Sequence, residues 1–171
     1  MSPAGAPPIA YGQASLLQRS LRRLGASRPG AWLFARVLHR IDRPVHRLTR
    51  GRHTLSSVLA GFPVVLLTTT GARSGAARTV PVLGLPTDEG LVVVASNFGR
   101  HAHPAWHHNL RANPDATVVV DGVAHAVRAA VTQGEQRARL WREGLKVYPG
   151  WSQYERRTAH REITVYLLLP R

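Results

Sequence analysis

Cysteine is absent from this sequence of 171 residues, which excludes disulfide bonds, a thiolate nucleophile and a zinc–cysteine site. No stretch approaches the roughly 18 uninterrupted apolar residues that a membrane-spanning helix needs. The N-terminus also lacks the basic region and the following apolar region that mark a secretory signal. Because the length is typical of one domain, we expect a globular protein of the cytoplasm.

Negative charge and lysine are both scarce. Nine acidic residues stand against 23 lysines and arginines, a formal net charge of +14, and Lys146 is the single lysine. Such an excess favours an anionic partner, which could be nucleic acid, a membrane surface or a polyanionic small molecule. The arginine bias is also typical of a GC-rich genome, but the excess charge attracts phosphates in either case.

The first 60 residues differ in character from the rest of the chain. Residues 1–11 are rich in proline, alanine and glycine, which predicts a disordered tail. Residues 12–60 contain two amphipathic patterns, over 15–23 and 31–41, which predict an N-terminal helical segment. These helices would either cap the following domain or lie on an anionic membrane surface, with arginines on the polar face.

A different pattern begins at residue 61, where short β-branched runs alternate with turns. Strands are predicted over residues 64–70, 78–85, 91–96, 117–121, 124–131 and 163–169. Helices are predicted over 104–113 and from a capping box at Thr132-Gln133-Gly134-Glu135 to Val147. Six short strands without regular strand–helix–strand alternation predict an α+β barrel over residues 61–171.

A glycine-rich turn between the first two strands is the first candidate site. Gly71 and Gly75 flank a tight turn whose backbone N–H groups can converge on an anion. Arg73 and Arg78 add positive charge and Ser74 adds a hydroxyl donor, so the turn predicts a phosphate site. The spacing is not that of a P-loop.

Two further segments carry candidate residues. Residues 95–110 combine a glycine turn with four histidines and a helix start at Pro104, which suits an anion. His103 and His107 lie one helical turn apart, but no carboxylate is near enough in sequence to complete a metal site, and we predict none. Residues 148–154 place Tyr148, Trp151 and Tyr154 on one side of a short helix, as core packing or as a pocket wall.

Several of these residues match the pattern of a known family. In chain order they are Leu67-Thr68-Thr69-Thr70-Gly71, Arg73-Ser74-Gly75, Arg78, Pro81, Gly99, Pro104-x-Trp106-x-x-Asn109-Leu110, Asn113-Pro114, Tyr148-Pro149 and Tyr154. Over residues 43–169 their order and spacing resemble the deazaflavin (F420)-dependent nitroreductase family, among the flavin/deazaflavin split-barrel oxidoreductases.

The resemblance implies a split β-barrel of about six mainly antiparallel strands, with flanking helices and an N-terminal helical extension. It implies coenzyme F420, which exchanges a hydride with an electron-poor acceptor such as a quinone or a nitroaromatic, while the protein positions the ring. The expected cofactor contacts are Arg73, Ser74, Gly75 and Arg78 at the phosphate and acidic tail, Val80, Pro81 and Val82 along the ring, and Ser96, Asn97, Phe98, Gly99, Trp106 and Asn109 opposite. The expected acceptor pocket is Leu83, Tyr148, Trp151 and Tyr154, with Tyr148 and Tyr154 as catalytic hydrogen-bond or proton donors.

Four positions depart from the family pattern. Ala72 stands where a basic residue is frequent, and Phe98 replaces the first glycine of a common pair. Leu83 and Trp151 stand where nitro-reducing members carry tyrosines. We therefore expect a more apolar pocket, suited to a quinone-like or lipophilic acceptor.

Three alternatives stay open at the level of sequence. An FMN-binding reductase of the same fold would use the basic turn equally well. A nucleic-acid-binding protein would need its arginines on one surface with aromatic platforms, but here they are spread along the chain, and we expect no nucleic acid. A non-catalytic membrane-surface protein would depend on the N-terminal helices. The oligomeric state is not determined.

Overall fold

The computed structural model of the protein describes residues 63–171 and three isolated serines, Ser15, Ser20 and Ser27. The disordered tail predicted over residues 1–11 and the helical segment predicted over residues 12–60 lie, apart from these serines, outside the described residues. Within residues 63–171 the chain forms strands and helices in the predicted order, which confirms the α+β class.

Six antiparallel strands close into one barrel. The strands are β1 (Val64–Thr70), β2 (Ala77–Thr87), β3 (Gly90–Val94), β4 (Asp115–Val120), β5 (Val123–Val131) and β6 (Val165–Pro170). They follow the spatial order β1-β2-β3-β6-β5-β4, and β4 pairs with β1. The helices are α1 (Ala105–Ala112), α2 (Gly134–Val147) and α3 (Gly150–Arg157), and a short 3-10 turn covers Asn97–Gly99. This is the split-barrel architecture that the resemblance implies.

One apolar core fills the barrel. In β1 the buried residues Val65, Leu67 and Thr69 alternate with half-buried ones, as expected for a strand with one face toward a core. The helix α1 follows β3 and precedes β4 in the chain. Its Trp106 and Leu110 belong to the same core, so α1 packs against the barrel interior.

A second core lies outside the barrel, where α2 and α3 cover one side of the sheet. Leu140 and Trp141 of α2 and Trp151 of α3 pack with Val92 of β3 and Leu167 of β6. β3 and β6 are therefore buried on both faces, which explains why their sequences are continuous apolar runs rather than alternating ones.

The capping box predicted at the start of α2 is wrong. The residue before the helix is Gln133, which makes no side-chain cap. Thr132 instead donates its hydroxyl to the Val165 carbonyl oxygen at 3.0 Å, because its buried side chain lies against β6. The other predicted strands and helices agree with the structure to within two residues at each end.

The helices of the described residues are all too short or too polar to cross a membrane.

Candidate active site

The barrel is open along half of β2. Residues 77–83 of β2 pair with β1, but pairing with β3 begins only at Gly84, which lies opposite Val93. Within residues 63–171 no strand pairs with the other edge of residues 77–83. Since alternate residues of an antiparallel strand bond to alternate sides, this edge presents backbone N–H and C=O groups that no strand satisfies.

The segment over residues 95–109 shares its packing partners with this part of β2. Trp106 lies in the barrel core with Val80 and Val82, and Phe98 packs against the same cluster as Leu83. The segment starts where β3 leaves the sheet, and at its other end Asn109 Oδ1 accepts from the Ala72 N–H at 3.0 Å. We define the space between the open edge and this segment, from the glycine turn over residues 71–76 to Leu83, as the candidate cleft.

The glycine turn holds its own shape by internal hydrogen bonds. Gly71 N–H donates to the Ala76 carbonyl and Gly75 N–H to the Gly71 carbonyl, each at 2.8 Å. Gly75 has a φ of +65°, a left-handed conformation that favours glycine. In the described part of the chain the N–H groups of Arg73 and Ser74 make no hydrogen bond, so they can donate to a ligand.

Positive charge at the turn is exposed and lacks a counter-ion among the described residues. The Arg73 and Arg78 residues are solvent-exposed, and no carboxylate of residues 63–171 lies within 4.0 Å of either. Guanidinium groups beside unused backbone N–H groups suit a phosphate or a string of carboxylates. Both arginines, with Ser74 and Gly75, thus lie together as the sequence predicts.

Asn109 links this turn to the end of β1. Its buried amide donates to Thr69 Oγ1 at 2.9 Å while its oxygen accepts from Ala72, so both ends of the amide are engaged by the chain. Asn109 is therefore placed to position the turn.

The predicted ring-binding residues of β2 offer mainly backbone to the cleft. Val80 and Val82 pack against the barrel core, and Pro81 lies on the opposite face, paired with Leu66. Trp106 is 8% exposed and packs at 5.8 Å from the Tyr166 ring inside the barrel. A planar ring along this wall would meet the backbone edge of residues 79–83 and the margins of these side chains.

The opposite wall contains a strained turn. Asn97, Phe98 and Gly99 have φ values of 48°, 57° and 72°, three left-handed residues in succession. For Phe98 this conformation costs roughly 1–2 kcal/mol, whereas asparagine, at Asn97, adopts it more readily. Gly99 is required for space as well, because a Cβ there would lie 3.1 Å from the Cα of Tyr154. Backbone strain of this kind is frequent at binding sites.

The predicted acceptor residues lie together in the second core, beside the end of the candidate cleft at Leu83. Tyr148, Trp151 and Tyr154 belong to one buried cluster, and Leu83 and Phe98 pack against it. The phenol oxygens of Tyr148 and Tyr154 are hydrogen-bonded at 2.8 Å. Burial raises the pKa of both phenols, so both stay protonated at neutral pH, and one O–H donates to the other phenol oxygen.

Four histidines of the described residues form two stacked pairs. His103 stacks on His107 at 4.1 Å, and His101 stacks on His160 at 3.8 Å. Among the described residues no group of three or more potential ligands could hold a metal ion. Burial lowers the pKa of His107 to about 4, so it is neutral at pH 7 beside the Tyr166 hydroxyl, 3.1 Å from its Nδ1.

Sequence reasoning missed Arg161. Its guanidinium donates to the carbonyl oxygens of residues 95, 96, 100 and 101 from a position 60 or more residues away. No local pattern around Arg161 signals this contact, because it depends on how the end of the chain returns to the segment after β3.

Comparison with known proteins gives consistent relatives. An F420H(2)-dependent quinone reductase of Mycobacterium tuberculosis (strain ATCC 25618 / H37Rv) is 34% identical over 116 residues, which cover 64% of this chain and 76% of that protein. A solved structure of an F420-H2 dependent reductase (FDR-A) is 35% identical with a TM-score of 0.57, over 62% of this chain and 93% of that one. A second solved chain, described as a domain-swapped dimer, is 32% identical with a TM-score of 0.60, over 82% of this chain and 98% of that one.

A family profile extends the match beyond single relatives. The profile of the F420H(2)-dependent quinone reductase family covers residues 38–170, which include both walls of the cleft. It decides between the two cofactors that the sequence left open, because the family is F420H2-dependent rather than FMN-dependent. The chain therefore belongs to the F420H(2)-dependent quinone reductase family, and its cofactor is coenzyme F420.

Proposed function

We propose that the protein transfers a hydride from F420H2, bound in the cleft between the β2 edge and residues 95–109, to a quinone. The observation that carries this proposal is the polarity of the cleft. One end has two exposed arginines and unused backbone N–H groups, and the other end has a buried aromatic cluster with two protonated phenols.

The residues present fit the cofactor. Arg73, Ser74, Gly75 and Arg78 would hold its phosphodiester and acidic tail by charge-assisted hydrogen bonds. The backbone edge at residues 80–82 would lie along the deazaflavin ring, and residues 96–99 with Trp106 would close the opposite side. Bound F420H2 supplies the hydride, so the protein needs no acid–base pair of its own for that transfer.

The acceptor pocket supports a quinone over a nitroaromatic. Leu83 and Trp151 are apolar where a tyrosine would add a donor, and both contact the cluster of Tyr148 and Tyr154. An apolar, water-poor pocket favours a lipophilic quinone ring. One phenol of the pair would donate to a quinone oxygen while negative charge develops on it, and the second phenol would donate to the first.

Steady-state kinetics with F420H2 test the acceptor. Menadione and a nitroaromatic of similar size are compared under the same conditions, and we expect kcat/KM for menadione to be higher by about tenfold or more, equivalent to about 1.4 kcal/mol. Arg73→Ala should raise the KM for F420H2. Arg128→Ala is the matched control. Arg128 lies on β5, away from the cleft, and its guanidinium pairs with Asp115 of β4. Equal rates with both acceptors, or a preference for the nitroaromatic, would contradict the quinone assignment.

The N-terminal segment supports a proposal of peripheral membrane contact. Of the 23 lysines and arginines, ten lie in residues 1–62, where Asp42 is the single acidic residue. Such a basic segment is attracted to anionic lipid by about 1 kcal/mol per cation near the surface, and a lipophilic quinone would be found there. A cytoplasmic location and the oligomeric state stay predictions to be tested.

Deleting residues 1–42 tests this contact. The truncated protein should lose co-sedimentation with vesicles that contain phosphatidylglycerol and keep its F420 binding. Equal sedimentation of both forms, or sedimentation of the full chain with neutral vesicles as well, would refute an electrostatic contact through this segment.

A further inference from the structure

Arg161 makes a set of contacts that the proposed hydride transfer does not by itself explain. Its Nε donates to the His101 carbonyl oxygen at 3.0 Å, and one terminal nitrogen donates to the carbonyl oxygens of Ser96 at 3.1 Å and Arg100 at 2.9 Å. The other terminal nitrogen lies 3.5 Å from the Ala95 carbonyl oxygen and 3.3 Å from Nδ1 of His103. All three nitrogens of the guanidinium are thus directed at one short segment.

The contacts of Arg161 hold backbone rather than a counter-ion. Within residues 63–171 no carboxylate lies within 4.0 Å of its guanidinium. Partial burial lowers the pKa of the guanidinium, yet arginine stays charged at any physiological pH. A half-buried charge without a carboxylate is costly, and its hydrogen bonds to several carbonyl oxygens offset that cost.

The segment that Arg161 holds is the strained wall of the cleft. The carbonyl oxygens that it binds come before and after the left-handed turn over residues 97–99. Inside this turn the described hydrogen bonds are Gly99 N–H to the Ser96 carbonyl and Arg100 N–H to the Asn97 carbonyl, both at 3.0 Å, with Asn97 Nδ2 donating to Ala102. Since Phe98 opposes this left-handed conformation, contacts from outside the segment help to keep it.

We propose that Arg161 is the positioning residue of this wall: it holds residues 95–103 in the conformation that binds the cofactor. The inference rests on the proposed function, because it assigns this wall to the cofactor. In this proposal Arg161 acts through the backbone carbonyl oxygens of residues 95, 96, 100 and 101, and not by contact with the cofactor or the acceptor.

Two substitutions separate geometry from charge. Arg161→Gln removes the charge and most donors, whereas Arg161→Lys keeps the charge on a single nitrogen that cannot reach all four carbonyl oxygens. Arg137→Gln is the matched control. Arg137 is also a half-buried arginine that donates to a backbone carbonyl oxygen, that of Ile163, but it lies on α2 away from residues 95–103.

Fluorescence titration of the full chain with oxidised F420 gives the first readout. We expect Arg161→Gln to raise Kd about tenfold or more, and Arg161→Lys to stay within about threefold of the glutamine variant. Arg137→Gln should lower the melting temperature and leave Kd within about twofold of the original protein. An unchanged Kd for Arg161→Gln would overturn the proposal, and so would full recovery by Arg161→Lys, which would show that charge alone matters.

Amide hydrogen exchange of the protein without cofactor gives a second readout. Exchange over residues 95–103 should accelerate about tenfold or more in Arg161→Gln and stay unchanged in Arg137→Gln. Unaltered exchange in Arg161→Gln would overturn the holding role. If the original protein fails to bind F420 although exchange accelerates as expected, the proposed function fails and the control of this segment by Arg161 stands.

Discussion

Replacing Asn109 tests whether the shape of the glycine turn controls cofactor binding. In Asn109→Ala the Ala72 N–H loses its acceptor at 3.0 Å, and the Thr69 hydroxyl loses the donor at 2.9 Å and keeps only a longer contact, 3.5 Å, to the Arg78 carbonyl oxygen. An unsatisfied buried polar group costs about 1–3 kcal/mol. Since the turn is exposed and water can reach Ala72, we expect a total loss of about 2 kcal/mol in the free energy of unfolding.

The same change should weaken cofactor binding. Ala72 directly precedes Arg73, so an unanchored turn samples conformations in which the N–H groups of Arg73 and Ser74 no longer converge. If the binding conformation falls to about a tenth of the population, Kd for F420 rises about tenfold. Fluorescence titration measures the Kd, and urea unfolding followed by circular dichroism measures the free energy.

Asn109→Asp is the discriminating control. An aspartate oxygen still accepts from the Ala72 N–H, and the Thr69 hydroxyl can rotate to donate to the other oxygen. Stability should therefore largely return, while the added negative charge near the arginines keeps Kd high. If Asn109→Ala loses stability without any change in Kd, the turn does not need Asn109 to bind the cofactor and the reasoning is refuted.

The site leads to three further predictions, for stability, cofactor binding and turnover. Burial lowers the pKa of His107 from 6.5 to about 4. As pH falls, this histidine therefore takes up its proton in the unfolded chain before it does so in the folded one. We expect a loss of up to about 2 kcal/mol in the free energy of unfolding between pH 7 and pH 5. Urea unfolding at both pH values should show a smaller loss in His107→Gln, and an equal loss would rule this residue out as the cause. Gly99→Ala places a Cβ 3.1 Å from the Cα of Tyr154 at a φ of +72°. It should lower the free energy of unfolding by about 1–3 kcal/mol and raise the Kd for F420. Unchanged stability and an unchanged Kd would contradict the strained geometry. Tyr154→Phe breaks the 2.8 Å bond to Tyr148 and should lower quinone turnover at least about tenfold with F420 Kd unchanged; unaltered turnover would remove the phenol from the mechanism.

Local features of the sequence were sufficient for most of the fold. The β-branched run of β1 and the Asp121-Gly122 turn depend on residues that are neighbours in sequence, so composition and turn chemistry predict them. The capping box failed because Thr132 bonds to Val165, 33 residues further on. Where a side chain could bond to either of two partners, tertiary packing decides between them, and a local sequence pattern does not contain that information.

The candidate site also has a part that depends on local sequence and a part that depends on long-range contacts. The glycine turn was predicted from Gly71, Arg73, Ser74, Gly75 and Arg78, because its shape is local. The second wall was not, since it depends on Asn109 reaching Ala72, 37 residues away, and on Arg161 reaching Ser96, 65 residues away. The resemblance to a known family supplied the residues of this wall, and the structure supplies the contacts that hold it.

The central claim is that F420 binds between the β2 edge and the segment after β3. Hydrogen exchange of the full chain with and without oxidised F420 tests it most directly, because it reports binding and its location together. The account predicts slower exchange over residues 71–83 and 95–103, with no change in the β4–β5 hairpin at residues 120–124. Protection confined to other residues, or no protection at saturating F420, would contradict it.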